Sequence, residues 1–117
     1  MAVSLCSIVI DAHDPPALAR FWCAVLDWTV VYEAEDELVI GADESALPVI
    51  TFVPAAGEKT AKNRLHIDLD PDDRDTEVAR AIGLGARRAD VGQRPDASWV
   101  VLTDPEGNEF CVLSSNK

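Results

Sequence analysis

The same order of apolar segments runs through this chain twice, and that duplication constrains the fold more than any single motif. Residues 5–11 form a short run rich in Ile and Val, which suits a strand buried on one or both faces. A helix is predicted next. Asp14 is its N-cap, Pro15 and Pro16 occupy its first turn, and Ala17, Leu18, Phe21, Trp22, Val25 and Leu26 recur on one face until it ends near Asp27. Residues 28–33, 37–40 and 49–53 are β-prone runs separated by acidic or Gly/Pro/Ser-containing turns.

After the polar stretch 56–63 the pattern restarts. In residues 65–69 the apolar Leu65, Ile67 and Leu69 alternate with His66, Asp68 and Asp70, as in a half-buried strand. Residues 73–85 read as a second helix with acids near its start, Val78, Ala81, Ile82 and Leu84 on its inner face, and Gly85 to stop it. Runs at 87–91, 98–102 and 109–113 complete three more strands, the last two joined by the turn Asp104-Pro105-Glu106-Gly107-Asn108. Shifting the second half back by about 59 positions lays His66 over Ser7 and Asp73 over Asp14; a slip of about one residue lays Leu84 over Leu26. Identity between the halves is low, so the repeat rests on element order and hydrophobic phase.

The 117 residues, 48% of them hydrophobic, suffice for one core, so a single domain is expected, with modules at about 1–58 and 63–117. Asp and Glu number 21 against 10 Lys and Arg, a formal charge of −11 that repels phosphate backbones and anionic membrane surfaces. Neither a nucleic acid nor a membrane is therefore expected as a partner. Solubility alone accounts for an acidic surface, and the charge names no substrate. The first residues carry no basic run before their apolar positions, and no apolar stretch approaches the roughly 20 residues that span a bilayer, so a cytoplasmic location is expected. Cys6, Cys23 and Cys111 are odd in number and lack CxxC spacing, which reads as reduced, mostly buried thiols.

Residues 14–28, with their paired aromatics Phe21 and Trp22 and their ending Leu26-Asp27-Trp28, are similar to the first helix of the glyoxalase/bleomycin-resistance/extradiol-dioxygenase (vicinal-oxygen-chelate) superfamily; Asp27 stands where that family usually has Gly. Residues 62–70, the helix finishing in Leu84-Gly85-Ala86, and residues 103–113 resemble the second module of its glyoxalase-like domains. Four matches in the right order span nearly the whole chain. The resemblance implies an α+β fold, two βαβββ modules forming a half-open curved sheet or barrel with helices outside and a ligand cavity on the concave face. Alternation then sends His66, Asp68 and Asp70 toward the cavity, with Ser7 and Val9 joining them from the first module.

Metal-dependent members of that superfamily take ligands from matching strands of both modules, typically a His or Gln in the first strand and a Glu in the last. His66 matches the second-module histidine, but Ser7 holds the first-module position and Cys111 the last-strand carboxylate position. Glu109 lies two residues earlier, about 6–7 Å along a strand, and substitutes poorly. The first-module counterpart of the last-strand acid falls near Phe52 or Val53, which coordinate nothing. No metal and no other cofactor is therefore expected. Zinc on His66 and Cys111 has two soft ligands and lacks a third. His13, before the first helix, reads as a surface loop residue.

Two functions follow as expectations. The first is metal-independent binding of an apolar or aromatic small molecule, of the sequestering, resistance type, with Ser7, His66, Trp99, Phe52 and Cys111 as ligand contacts. Trp22, Trp28 and Phe110 are further stacking surfaces or core residues, and Trp99 is the best candidate to overhang an opening because it follows Pro95-Asp96-Ala97. The second is a lyase or isomerase acting on a small carbonyl compound. Here His66 is the general base, since imidazole exchanges protons near neutral pH, and Asp68 orients it or stabilises its charged form. Cys111 serves as a nucleophile only if its thiolate is favoured, and a strand cysteine is more often inert. Both readings stand beside a structural one, in which His66 bonds to a packed barrel and Asp68 pairs with Arg64. Family members often associate to complete a cavity, so a homodimer is expected; the basic stretch 59–64 reads as a solvated linker between modules or a patch for an acidic partner.

Overall fold

The computed structural model describes residues 5–56, 65–89 and 98–114. Contacts divide the chain into two compact units, Met1–Glu58 and Lys59–Lys117. The first contains β1 (Ser7–Ala12), α1 (Pro15–Leu26), β2 (Thr29–Glu33), β3 (Leu38–Gly41) and β4 (Val49–Pro54). The second repeats that order with β5 (Ile67–Leu69), α2 (Arg74–Gly83), β6 (Arg87–Arg88), β7 (Val100–Thr103) and β8 (Glu109–Val112). Each unit is one βαβββ module with a mixed four-stranded sheet, ordered β1-β4-β3-β2 and β5-β8-β7-β6. In both, the first strand lies parallel to the last, and the remaining pairs are antiparallel.

The first module shows why one face of the sheet is apolar. Ile8 lies beside Ile50, Ile10 beside Phe52, Leu38 beside Phe52 and Ile40 beside Ile50, so alternation gathers these side chains on one side. That side receives α1, which packs on β3, β4 and β2 and buries Leu18, Ala19, Phe21 and Trp22. Phe21 and Trp22 meet edge to face at 5.3 Å. Phe52, Ile40 and Leu18 have no exposed surface, and each such side chain contributes roughly 1.5–3 kcal/mol through burial. The opposite face carries Ser7, Val9, Asp11, Val39, Val49, Thr51 and Val53.

The second module is built likewise. Ile67, Phe110 and Leu102 align across three strands, as do Leu69, Val112 and Val100, and α2 packs on β8 with Val78 and Ala81 buried. Ile82 and Leu84, expected on the inner face, are both 40% exposed, because the short α2 buries a narrow stripe and ends at Gly83. Leu65, expected to pack beneath a helix, is 78% exposed, since β5 begins only at Ile67. Of the strand expected at 87–91, residues 87–88 are β6, while 90–91 and the expected basic stretch 59–64 lie outside the described residues. Among the described residues no helix is long and apolar enough to cross a membrane.

Both helices begin on an aspartate. Asp14 accepts the Ala17 N–H at 3.2 Å, and Asp73 accepts the Thr76 N–H at 3.1 Å and the Thr76 hydroxyl. The Thr76 hydroxyl and N–H together hold the Asp73 carboxyl below the usual carboxylate range. The end of α1 departs from the usual chemistry. Asp27 has φ 57° and ψ 45°, the left-handed conformation that favours Gly, and the Trp28 N–H closes the cap on Cys23 O at 3.0 Å. Asp27→Gly is expected to stabilise the protein by about 1 kcal/mol through relief of this strain, measured by urea unfolding; a loss of stability contradicts the assignment of strain.

Candidate functional site

The site grows out of the β5–β8 pairing. In that parallel register Asp68 lies directly beside Cys111, so their side chains leave the same face of the sheet, opposite α2. His66, two residues before Asp68, shares that side and places Nε2 3.1 Å from Asp68 Oδ1. The imidazole and the carboxylate are about half exposed, at 53% and 50%, whereas Cys111 is 9% exposed beside the buried Val101. The donor atoms of His66, Asp68 and Cys111 all lie within 4.8 Å of one another.

The β7–β8 turn secures the position of Cys111. Asp104, only 3% exposed, accepts the N–H groups of Glu106 at 2.9 Å and Asn108 at 3.0 Å, and the Asn108 side-chain amide at 3.0 Å. Gly107 takes φ 89° between them, a conformation open to glycine. The turn therefore fixes where β8 starts and which of its residues face the cluster. At the other end of β7, the Arg74 guanidinium donates to Ser98 O at 2.6 Å, tying the start of α2 to the residue before Trp99. Trp99 is 36% exposed and lies in a bend one residue before β7.

The first module has the same frame with different chemistry. Val9 lies beside Thr51 as Asp68 lies beside Cys111, so Thr51, and not Phe52 or Val53, occupies the last-strand position matching Cys111. The Ser7 and Thr51 hydroxyls hydrogen-bond at 2.8 Å, and Thr51 is 8% exposed. Phe52 points to the helix side and is fully buried, so it does not reach the open face on which Ser7 stands. Trp22 and Phe110 are likewise core residues, and His13 is exposed. The structure thus brings His66, Asp68 and Cys111 together, pairs Ser7 with Thr51 in the other module, and leaves Trp99 beside the second sheet. Thr51 was missed because lateral register across a parallel pair is not written in local sequence. Its one signal was a hydroxyl within the apolar run Val49-Ile50-Thr51-Phe52-Val53.

Two βαβββ modules, each with its first strand parallel to its last, are the architecture of the vicinal-oxygen-chelate superfamily. Residues 7–113 match the family model of the glyoxalase-like domain, and the chain belongs to that family. No curated protein matches the sequence. The trypanothione-dependent glyoxalase I of Leishmania major superposes with a TM-score of 0.73 at 15% identity, covering 97% of this chain and 87% of its own. A glyoxalase/bleomycin resistance protein/dioxygenase family enzyme of Burkholderia phytofirmans gives 0.67 at 20% identity, covering 94% and 97%. The fosfomycin resistance protein FosX of Mesorhizobium loti gives 0.64 at 21% identity, covering 98% and 92%. At these identities the likeness is one of fold.

The metal set that the superfamily uses across both modules does not fit here. Its first-module positions hold Ser7 and Thr51, two neutral hydroxyls bonded to each other, in place of imidazole, amide or carboxylate donors. What the second module offers is a polarised imidazole: Nε2 sits at hydrogen-bond distance from a carboxylate, which selects the tautomer with the proton on Nε2 and leaves Nδ1 as the acceptor. Long-range ¹H–¹⁵N correlation spectra at pH 8 are expected to show neutral His66 with its proton on Nε2, relaxing to a tautomer mixture in Asp68→Ala. A proton on Nδ1 in the unsubstituted protein contradicts the pairing.

Proposed function

We propose that this domain binds a small apolar or aromatic organic molecule on the open face of its second sheet, in a sequestering role. His66 and Asp68 are its polar anchor and Trp99 its stacking surface. The observation that carries the reading is the half-exposed His66–Asp68 pair, two oriented polar groups on the face of the sheet opposite α2, next to the apolar row of Cys111 and Val101. That row supplies the apolar floor. Binding on this reading relies on the chain's own groups and needs no metal. A fosfomycin resistance protein among the structural relatives supports such a role. The same proposal includes a homodimer, because the outer strands β2 and β6 each keep one edge unpaired within their own sheets, with Val30 and Tyr32 of β2 exposed.

A second reading uses the same pair for proton transfer. Asp68 orients the His66 ring, so that its other ring nitrogen can take a proton from carbon next to a carbonyl and return it elsewhere, as a lyase or isomerase requires. A glyoxalase I among the relatives supports this chemistry.

A thermal-shift screen of small aromatic and carbonyl compounds, followed by titration of tryptophan fluorescence in the unsubstituted protein and in the variants, separates the two. The binding reading predicts a hit whose affinity falls about 10-fold or more, roughly 1.4 kcal/mol, in Trp99→Ala and in His66→Ala, without conversion of the compound. The catalytic reading predicts exchange of the α-proton of a carbonyl ligand for deuterium, lost in His66→Ala. Hits indifferent to both substitutions refute this site.

A further inference from the structure

Beside the imidazole and carboxylate stands a thiol, and together they have the parts of an activated nucleophile. One ring nitrogen of His66, one carboxylate oxygen of Asp68 and the sulfur of Cys111 all lie within 4.8 Å of one another. A thiol, an imidazole next to it and a carboxylate that orients the imidazole are what an activated cysteine requires, and such contacts are often looser before a substrate seats than after. Asp68 holds the Nε2 proton at 3.1 Å, so the other ring nitrogen is the acceptor for a thiol proton. Cys111 is also reachable. Its helix-side neighbours in β8, Phe110 and Val112, are 0% and 1% exposed, whereas Cys111 keeps 9%, and that remainder belongs to the open face. A thiol buried among apolar groups is inert, but this one borders a half-exposed imidazole.

The surrounding charges decide how the thiol can give up its proton. On the open face Glu109 precedes Cys111 by two residues of β8, about 6–7 Å along the strand, and Asp70 follows Asp68 just beyond β5. From β7 come only Val101 and Thr103, and Arg87 of β6 lies beyond Thr103. The carboxylates oppose a thiolate made by releasing its proton to solvent. Transfer from Cys111 to His66 leaves the net charge of the face unchanged, and Asp68 stabilises the imidazolium it creates. The backbone then selects the reaction. As a central strand paired on both sides, β8 has its N–H groups committed to the ladder and offers none of them to an oxyanion, which disfavours acyl transfer. Addition to a conjugated double bond needs a thiolate and a proton donor, and both are present. We propose that Cys111 is a nucleophile, with His66 as its base and Asp68 orienting the ring, that captures α,β-unsaturated carbonyl compounds as covalent adducts. The thiol proton passes to His66, the S–C bond forms at the β-carbon as the double-bond electrons move into the enolate, and the imidazolium returns the proton to the α-carbon. The sum is addition of S–H across the double bond, with no leaving group and no oxidant or reductant.

Covalent capture rests on the same open face as the ligand binding proposed above, but the two fail separately: reversible binding is read by thermal shift, and an adduct by mass. Acrylamide in excess is the probe, applied to the full-length protein in a Cys6→Ser, Cys23→Ser background, which leaves Cys111 as the one thiol. Intact mass and peptide mapping follow the adduct between about pH 6 and pH 10, with the fold of each variant checked by circular dichroism. The expected result is one acrylamide added at Cys111 of the folded protein. His66→Gln should slow the addition near pH 7 about 10-fold or more, and Asp68→Asn should slow it as well. Near pH 10, where hydroxide ionises the thiol unaided, the rates of parent and variants should converge, an outcome that a merely structural effect of the substitutions does not produce. A Cys111 that reacts only after unfolding in urea, a rate near pH 7 unchanged in His66→Gln, or a deficit that persists undiminished to pH 10 overturns the assignment.

Discussion

The parallel pairing of the first and last strand within each module is the constraint on which everything else in this protein depends. A parallel neighbour cannot be reached by a tight turn, so the chain must travel through a helix and two further strands before it returns. That path does two things at once. It covers one face of the sheet with a helix, and it sets a residue from the beginning of the module beside a residue from its end. Asp68 meets Cys111 this way, and Val9 meets Thr51. A one-residue slip of β5 against β8 would set Asp68 level with Phe110, forcing either the carboxylate against α2 or the ring outward, and the cost of that exchange holds the register.

The two modules show how one frame carries different chemistry. On the helix side both are apolar: Ile50 and Phe52 in β4 match Phe110 and Val112 in β8, all nearly or fully buried. On the opposite side the first module presents Ser7, Val9 and Thr51, and the second presents His66, Asp68 and Cys111. The first set closes on itself through a hydroxyl pair. The second brings an imidazole, a carboxylate and a thiol together. The chemical asymmetry of the two modules therefore lies on the face opposite the helices, while the packed faces stay alike.

Much of this was legible in the sequence. The N-caps Asp14 and Asp73 announce themselves by position, and the alternation from Leu65 to Asp70 predicted that His66 and Asp68 share a face, as they do. Asp27 stands where the family usually has Gly, but the left-handed backbone it adopts there is seen only in the folded chain. Lateral neighbours were harder. The partner of Val9 lies about 40 residues away along a parallel strand, and no local pattern counts that distance, which is why the first-module position fell on Phe52 or Val53 when the register gives Thr51. Exposure at Leu65, Ile82 and Leu84 was equally hidden, because apolar periodicity shows which side a residue faces and not whether the neighbouring element extends far enough to cover it. The meeting of Asp68 with Cys111 combines both kinds of information, a local phase and a distant register, and only the folded sheet provides the second.

The most direct check of the account is a nuclear Overhauser measurement between His66 and Cys111 in the intact protein. Cross-peaks from the His66 ring protons to the Cys111 β-protons are predicted, since both side chains leave the same face and their donor atoms lie within 4.8 Å. A His66 ring that instead shows contacts to the Phe110 ring, on the helix side, and none to Cys111 would contradict the register from which the site is built.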